Sequence, residues 1–173
     1  MRVWWWALSI ELMTVLPAIP GSVGGQPMHP TAVITMDKGG EIRIELYPED
    51  APKTVESFIT LSKKGFYDGL TFHRIVPGFV AQGGDPKGDG TGGPDYTLKA
   101  EFNKRKHVRG TVAMARSQSP DSAGSQFYIC FAPAPHLDNN YTIFGQVTAG
   151  MDVVDRIKPG DKMKSVKIEE PKP

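Results

Sequence analysis

A mainly β domain capped by two helices is predicted by three features of the chain. Nineteen glycines and fifteen prolines are spread along 173 residues, which calls for many turns between short strands. Several runs alternate apolar and polar residues with period two. Only two segments carry helical spacing, one early and one late, an arrangement that suits a closed antiparallel barrel with its ends covered. On periodicity alone a β-sandwich fits equally well.

Residues 1–30 read as an N-terminal extension. Trp4, Trp5 and Trp6 are followed by an apolar run to Leu16 and then by Pro17, Pro20, Gly21, Gly24, Gly25 and Pro27. Arg2 with the apolar Ala7 to Ile10 has the form of a leader, but Glu11 interrupts a run already shorter than the roughly 20 residues that span a bilayer. A disordered or leader-like extension is expected, upstream of a natural start at Met28. A cytoplasmic protein is expected, with export or membrane anchoring through residues 1–27 as the alternative. The domain is placed at 31–170, with 171–173 as a short tail.

Ala32, Ile34 and Met36 share one face of a first strand, and Ile42, Ile44 and Leu46 share one face of a second. Asp37-Lys38-Gly39-Gly40 between them predicts a hairpin. Asp50 then precedes Pro52, with Val55, Phe58, Ile59 and Ser62 at helical spacing before Lys63-Lys64-Gly65. An acidic N-cap, a first-turn proline, a basic last turn and a closing glycine predict a helix. The segment Phe72 to Asp85, FHRIVPGFVAQGGD, follows; it concentrates Arg74, Phe79, Gln82 and a Pro77-Gly78 turn between two apolar runs.

Gly83 to Pro94 holds six glycines and two prolines and reads as a flexible surface loop with glycines at positive φ. A phosphate cradle is the weaker reading, since no Gly-Lys-Ser/Thr follows. Strand is expected from Val108 to Arg116 and from Gln126 to Ala132. In the second of these Phe127, Ile129 and Phe131 face one way, and Gln126, Tyr128 and Cys130 face the other. Tyr141 stands at the mouth of a strand spanning Thr142 to Val147. A short helix over Met151 to Ile157 and a last strand over Ser165 to Ile168 complete the chain.

Twenty basic against nineteen acidic residues leave no global field to recruit nucleic acid. Cys130 stands alone, so no internal disulfide is possible, and a monomer is expected. His29, His73, His107 and His136 have no partner at ligand spacing, so no metal is expected. Ser117, Ser119, Ser122 and Ser125 read as turn residues. Arg74 either snorkels at a sheet rim or faces a cleft.

FHRIVPGFVAQGGD, GTGG at 90–93, AMAR at 113–116, GSQFYI at 124–129 and FGQV at 144–147 resemble cyclophilin-type peptidyl-prolyl cis-trans isomerases in identity and order. The resemblance covers Ala32 to Ile168. It implies a closed eight-stranded antiparallel β-barrel capped by two α-helices, with an outer groove that binds Xaa-Pro segments of folding or unfolded polypeptides, and no cofactor. Arg74 matches the catalytic arginine. Phe79, Tyr128 and Leu137 match the proline pocket, with Met114 beneath it in the core. Gln82 and Gln126 match polar groups flanking the peptide, and Ala115 and Arg116 match the strand whose backbone binds it. Two positions depart from the family pattern. His136 replaces the tryptophan that contacts cyclosporin in many eukaryotic members, which implies weakened cyclosporin affinity, and Tyr141 replaces a pocket histidine while still offering a wall. The rival from another class is a proline-peptide receptor or holdase with little turnover.

Overall fold

The computed structural model describes residues 29–171, so most of the N-terminal extension and the end of the tail lie outside the described residues. The chain opens with β1 (Thr31–Met36) and β2 (Glu41–Leu46), the hairpin that the Gly-Gly turn predicts, in a register that sets Ile34 opposite Ile42. Helix α1 (Pro52–Lys63) follows and buries Thr54, Val55, Phe58, Leu61 and Ser62. Then come β3 (Arg74–Val76), β4 (Val80–Gly83), β5 (Thr111–Met114), β6 (Phe127–Cys130), β7 (Ile143–Ala149), the single-turn helix α2 (Met151–Val154) and β8 (Met163–Glu169).

These strands make one eight-stranded antiparallel sheet in the order β3-β4-β6-β5-β7-β2-β1-β8. The expected closed barrel is corrected here to an open half-barrel. No ladder joins the edge strands β3 and β8. Their leading segments meet instead at a single bridge, Thr71 with Lys162. Beyond it β3 is only three residues long and turns back at Pro77-Gly78, so there is no further backbone to zip against β8.

Several boundaries also shift, and β7 and β8 both run past their expected C-terminal ends. The strand expected over 108–116 shrinks to Thr111–Met114, because Gly110 adopts φ +82° and the Val108 amide donates to Thr111 Oγ1 in a turn. β6 likewise loses residues at both ends. The last helix stops at Val154; the Arg156 and Ile157 amides reach back only three residues, tightening the turn. Asp50 does not cap α1, which starts from Ala51 without a side-chain cap of its own.

The concave face of the sheet packs against α1. Phe58 meets Phe127 and Phe144 at centroid separations of 5.7 and 5.2 Å, above Ile34, Ile44, Val112 and Ile129, all fully buried. The opposite face carries a second, smaller apolar cluster of Val80, Ala113, Tyr128, Cys130 and Ile143. Strand alternation makes both: Phe127 and Ile129 go to the core, Tyr128 and Cys130 to the other side, as the period-two reading requires.

Candidate active site

Strand register places the outer cluster beside the chemistry. Arg74 pairs with Gln82, Gln82 with Tyr128, and Tyr128 with Ala113, so one row crosses β3, β4, β6 and β5 with its side chains on one face. Two residues close in sequence, Arg74 and Gln82, thereby gain the distant Tyr128 as a neighbour. Gly78, at φ +70°, makes the turn that folds β3 onto β4 and brings Phe79 to the rim.

A cavity of about 230 Å3 opens along this row. Arg74, Phe79, Gln82, Ala115, Arg116, Tyr128, Leu137 and Tyr141 line it, together with Val80, which sequence reasoning passed over. Met114 lies beneath in the concave core, 3% exposed. Gln126 sits apart, lining a neighbouring hollow of about 420 Å3 with the Gly90–Pro94 segment. His136 does not line the cavity; its ring stacks on Phe79 at 5.5 Å and backs that wall.

Polar contacts fix the charged end. Arg74 is exposed, and its Nη1 donates to Gln82 Oε1 at 3.3 Å, a long bond that leaves other guanidinium donors free. Gln82 Nε2 donates to Gln126 Oε1 at 3.0 Å, and Gln126 Nε2 donates to the Gly90 and Gly92 carbonyls. The loop expected to be free is therefore pinned. The buried Asp85 carboxylate also holds it, accepting from the amides of Lys87, Asp89 and Gly90. Arg116 lies 4.7 Å over the Tyr141 ring and donates through Nε to the Asn140 carbonyl and through Nη1 to the carbonyls of Ser117 and Gln118. Its side chain thereby braces Tyr141.

The apolar end has a polar backing. Tyr128 is 5% exposed and its Oη lies 2.9 Å from His107 Nε2; His107 Nδ1 lies 3.0 Å from Asp138 Oδ1. Burial holds His107 below the usual histidine range, with Asp138 pulling partly the other way. The His107 amide, first, and then its ring and Lys106 hold the Asp138 carboxyl down at about 2. Burial raises the Tyr128 hydroxyl and pushes the Cys130 thiol up to about 12, so that thiol stays protonated and inert at neutral pH. Sequence reasoning missed His107 and Asp138 as neighbours of the pocket. The available signal was Tyr128 itself, since a tyrosine on a buried strand face needs a partner for its hydroxyl. Ser117 and Ser122 bond each other and Ser125 bonds the Gly84 carbonyl, as turn residues do. Among the described residues no cluster of three or more His, Cys, Asp or Glu side chains could hold a metal ion.

A half-barrel whose outer face sets a free guanidinium beside a cavity walled by Phe79, Val80, Tyr128, Leu137 and Tyr141 defines a class: a site that can hold an apolar ring next to a hydrogen-bond donor. Comparison with known proteins names it. Residues 31–172 match the family described as cyclophilin type peptidyl-prolyl cis-trans isomerase/CLD. Peptidyl-prolyl cis-trans isomerase B of Bacillus subtilis is 49% identical over 141 residues, covering 80% of this chain and 98% of that protein. The peptidyl-prolyl cis-trans isomerase of Helicobacter pylori is 50% identical over 139 residues, covering 78% and 84%. A crystal structure of a Cryptosporidium parvum cyclophilin type peptidyl-prolyl cis-trans isomerase, obtained in the presence of the dipeptide Ala-Pro, superposes with a TM-score of 0.75 at 31% identity, covering 80% and 98%. The chain belongs to the cyclophilin-type peptidyl-prolyl cis-trans isomerases, and it isomerises Xaa-Pro peptide bonds.

Proposed function

We propose that Arg74 is the catalytic residue of this isomerase, and that Phe79, Tyr128, Leu137 and Tyr141 hold the prolyl ring of a folding or unfolded polypeptide. The observation that carries this reading is the single row joining Arg74, through Gln82, to the Tyr128 wall of the cavity. The Cryptosporidium enzyme crystallised with Ala-Pro supports a proline-containing peptide as the occupant.

The chemical task is to break amide resonance, which otherwise keeps Xaa-Pro bonds interconverting over tens to hundreds of seconds. As the bond twists, the prolyl nitrogen turns pyramidal and gains a lone pair. A guanidinium N–H can donate to that lone pair and has much less to offer the planar ground state, which is the differential binding that lowers a barrier. Gln82 orients Arg74 from the side, leaving the remaining donors toward the cavity. Shortening the event to about ten milliseconds takes roughly four decades of rate, or about 5.5 kcal/mol. A charged hydrogen bond plus positioning is of that order, with no covalent intermediate required. Ala115 borders the groove where a peptide backbone would run. His136, smaller than an indole and stacked on Phe79, supports weakened cyclosporin binding.

Arg74→Ala should lower kcat on a short Xaa-Pro peptide by at least about a hundredfold while the circular dichroism spectrum and Tm stay near wild type. Exchange NMR reads the rate directly, and near-wild-type turnover would overturn the assignment. A pure peptide receptor would titrate with the same peptide without accelerating its exchange.

A further inference from the structure

We propose that His107, anchored by Asp138, is a positioning residue for the isomerase: it locks the Tyr128 wall against the prolyl ring and so governs how tightly proline is held. The inference rests on the reading of Tyr128 as a pocket wall.

Three groups in line define the device. His107 precedes β5, and its side chain is wholly buried. Asp138 Oδ1 accepts from the His107 amide at 2.8 Å and faces Nδ1 at 3.0 Å, while Asp138 Oδ2 meets Lys106 Nζ at 3.2 Å. With its carboxyl held down at about 2, Asp138 at neutral pH can only accept. The Nδ1 nitrogen must then carry the ring proton. That leaves Nε2 as a lone pair, so the Tyr128 O–H donates to it at 2.9 Å, with the two ring planes within 15° of parallel. Every polarity in the chain follows from the carboxylate.

A phenylalanine at 128 could slide along its long axis; Tyr128 cannot without orphaning a buried donor and a buried acceptor, a costly event. The prolyl ring touches this wall before, during and after rotation of the preceding carbonyl. Holding it is therefore uniform binding, which appears in KM and not in kcat.

The same chain titrates. Around His107 stand Asp138 and Lys106 at one side, the Tyr128 hydroxyl at the other, Tyr141 edge-on at 6.4 Å with Arg116 over that ring, and His136, whose charge opposes protonation. Burial, the largest influence, places His107 protonation below the ordinary value. Above that point the wall is locked. When acid adds a proton to Nε2, that nitrogen turns from acceptor to donor and faces the Tyr128 oxygen, the buried Tyr128 O–H is left without an acceptor, and KM rises as the pH falls.

The test measures kcat and KM separately by exchange NMR on a short Xaa-Pro peptide, from about pH 5 to about pH 8. Wild-type KM should rise toward acid with kcat flat. Tyr128→Phe should raise KM about fivefold at neutral pH, the scale of one buried hydrogen bond, and abolish the acid rise. His107→Gln, which keeps an acceptor and a donor but cannot titrate, should hold KM within about twofold of wild type at neutral pH, unlike Tyr128→Phe, and stay flat into acid. Tyr128→Phe with unchanged KM and a persisting acid rise overturns the proposal. Should His107→Gln fail to fold, a long-range 1H–15N correlation on the wild type decides independently: the neutral Nδ1–H tautomer supports the lock, and the Nε2–H tautomer overturns it. Arg74→Ala separates the two layers. If that variant keeps its turnover, the reading of the pocket fails; if it collapses while Tyr128→Phe changes nothing, only the lock fails.

Discussion

Gln126 donates both amide hydrogens to the Gly90 and Gly92 carbonyls and accepts from Gln82 through its oxygen, so it couples the glycine loop to the side chain that bonds Arg74. Gly92 shows why the loop is glycine-rich. A Cβ there would collide with Asp85 Oδ1 and lie 3.0 Å from the Lys87 amide, whereas at Gly93 it would meet nothing within 4 Å. Gly92→Ala should therefore cost about 1–3 kcal/mol, the scale of overpacking, and Gly93→Ala no more than about 0.5 kcal/mol. Urea denaturation of the pair checks this; equal costs would show that conformational freedom, and not the close approach, fixes the sequence. Arg74, Phe79 and Gln82 were legible because they sit within nine residues of one another. The need at Gly92 was not, because it depends on a carboxylate seven residues back whose folded position no local pattern reveals.

At the scale of elements, α1 shows how local signals are right about existence and silent about partners. Pro52, Lys63 and Gly65 bound the helix as expected. Its cap comes from elsewhere: Glu101 accepts from the Lys53 and Thr54 amides at 3.0 and 2.8 Å, across 48 and 47 residues of sequence. Asp50, the expected cap, is drawn off by Arg105, whose Nε donates to its Oδ2 at 2.6 Å while the guanidinium lies 3.3 Å over the Tyr47 ring. A carboxylate on free amides at a helix start adds dipole stabilisation to the hydrogen bonds. Glu101→Ala should destabilise the fold by about 1 kcal/mol, or roughly 3 °C in Tm. Asp50→Asn, which disturbs only a partly exposed ion pair, should cost well under that. Calorimetry of both variants ranks the caps, and the reverse order would restore Asp50 as the cap.

For the molecule as a whole, the point at issue is how the sheet ends. Alternation identified strands but said nothing of closure, because closure depends on whether two edges that meet at Thr71 and Lys162, far apart in sequence, come together in register. The edges here meet only ahead of β3 and at the very start of β8. The amides of Gly69 and Phe72 donate to the carbonyls of Met163 and Asp161, and those of Gly160 and Met163 donate to Phe72 and Leu70. Four bonds between the segment before β3 and the start of β8 lack the flanking ladders that protect β5 and β6, each of which is paired on both sides. This seam lies two residues from Arg74, so its opening would release the edge strand that carries Arg74 before the rest of the sheet. Native-state hydrogen exchange should find the Gly69 and Phe72 amides opening at lower free energy than the ladder amides of β5 and β6, through a sub-global event that leaves the latter protected. Equal protection at both places would mean that the seam unfolds only with the whole molecule. In that case β3 would be held as firmly as a central strand, and the half-barrel would behave as a closed one.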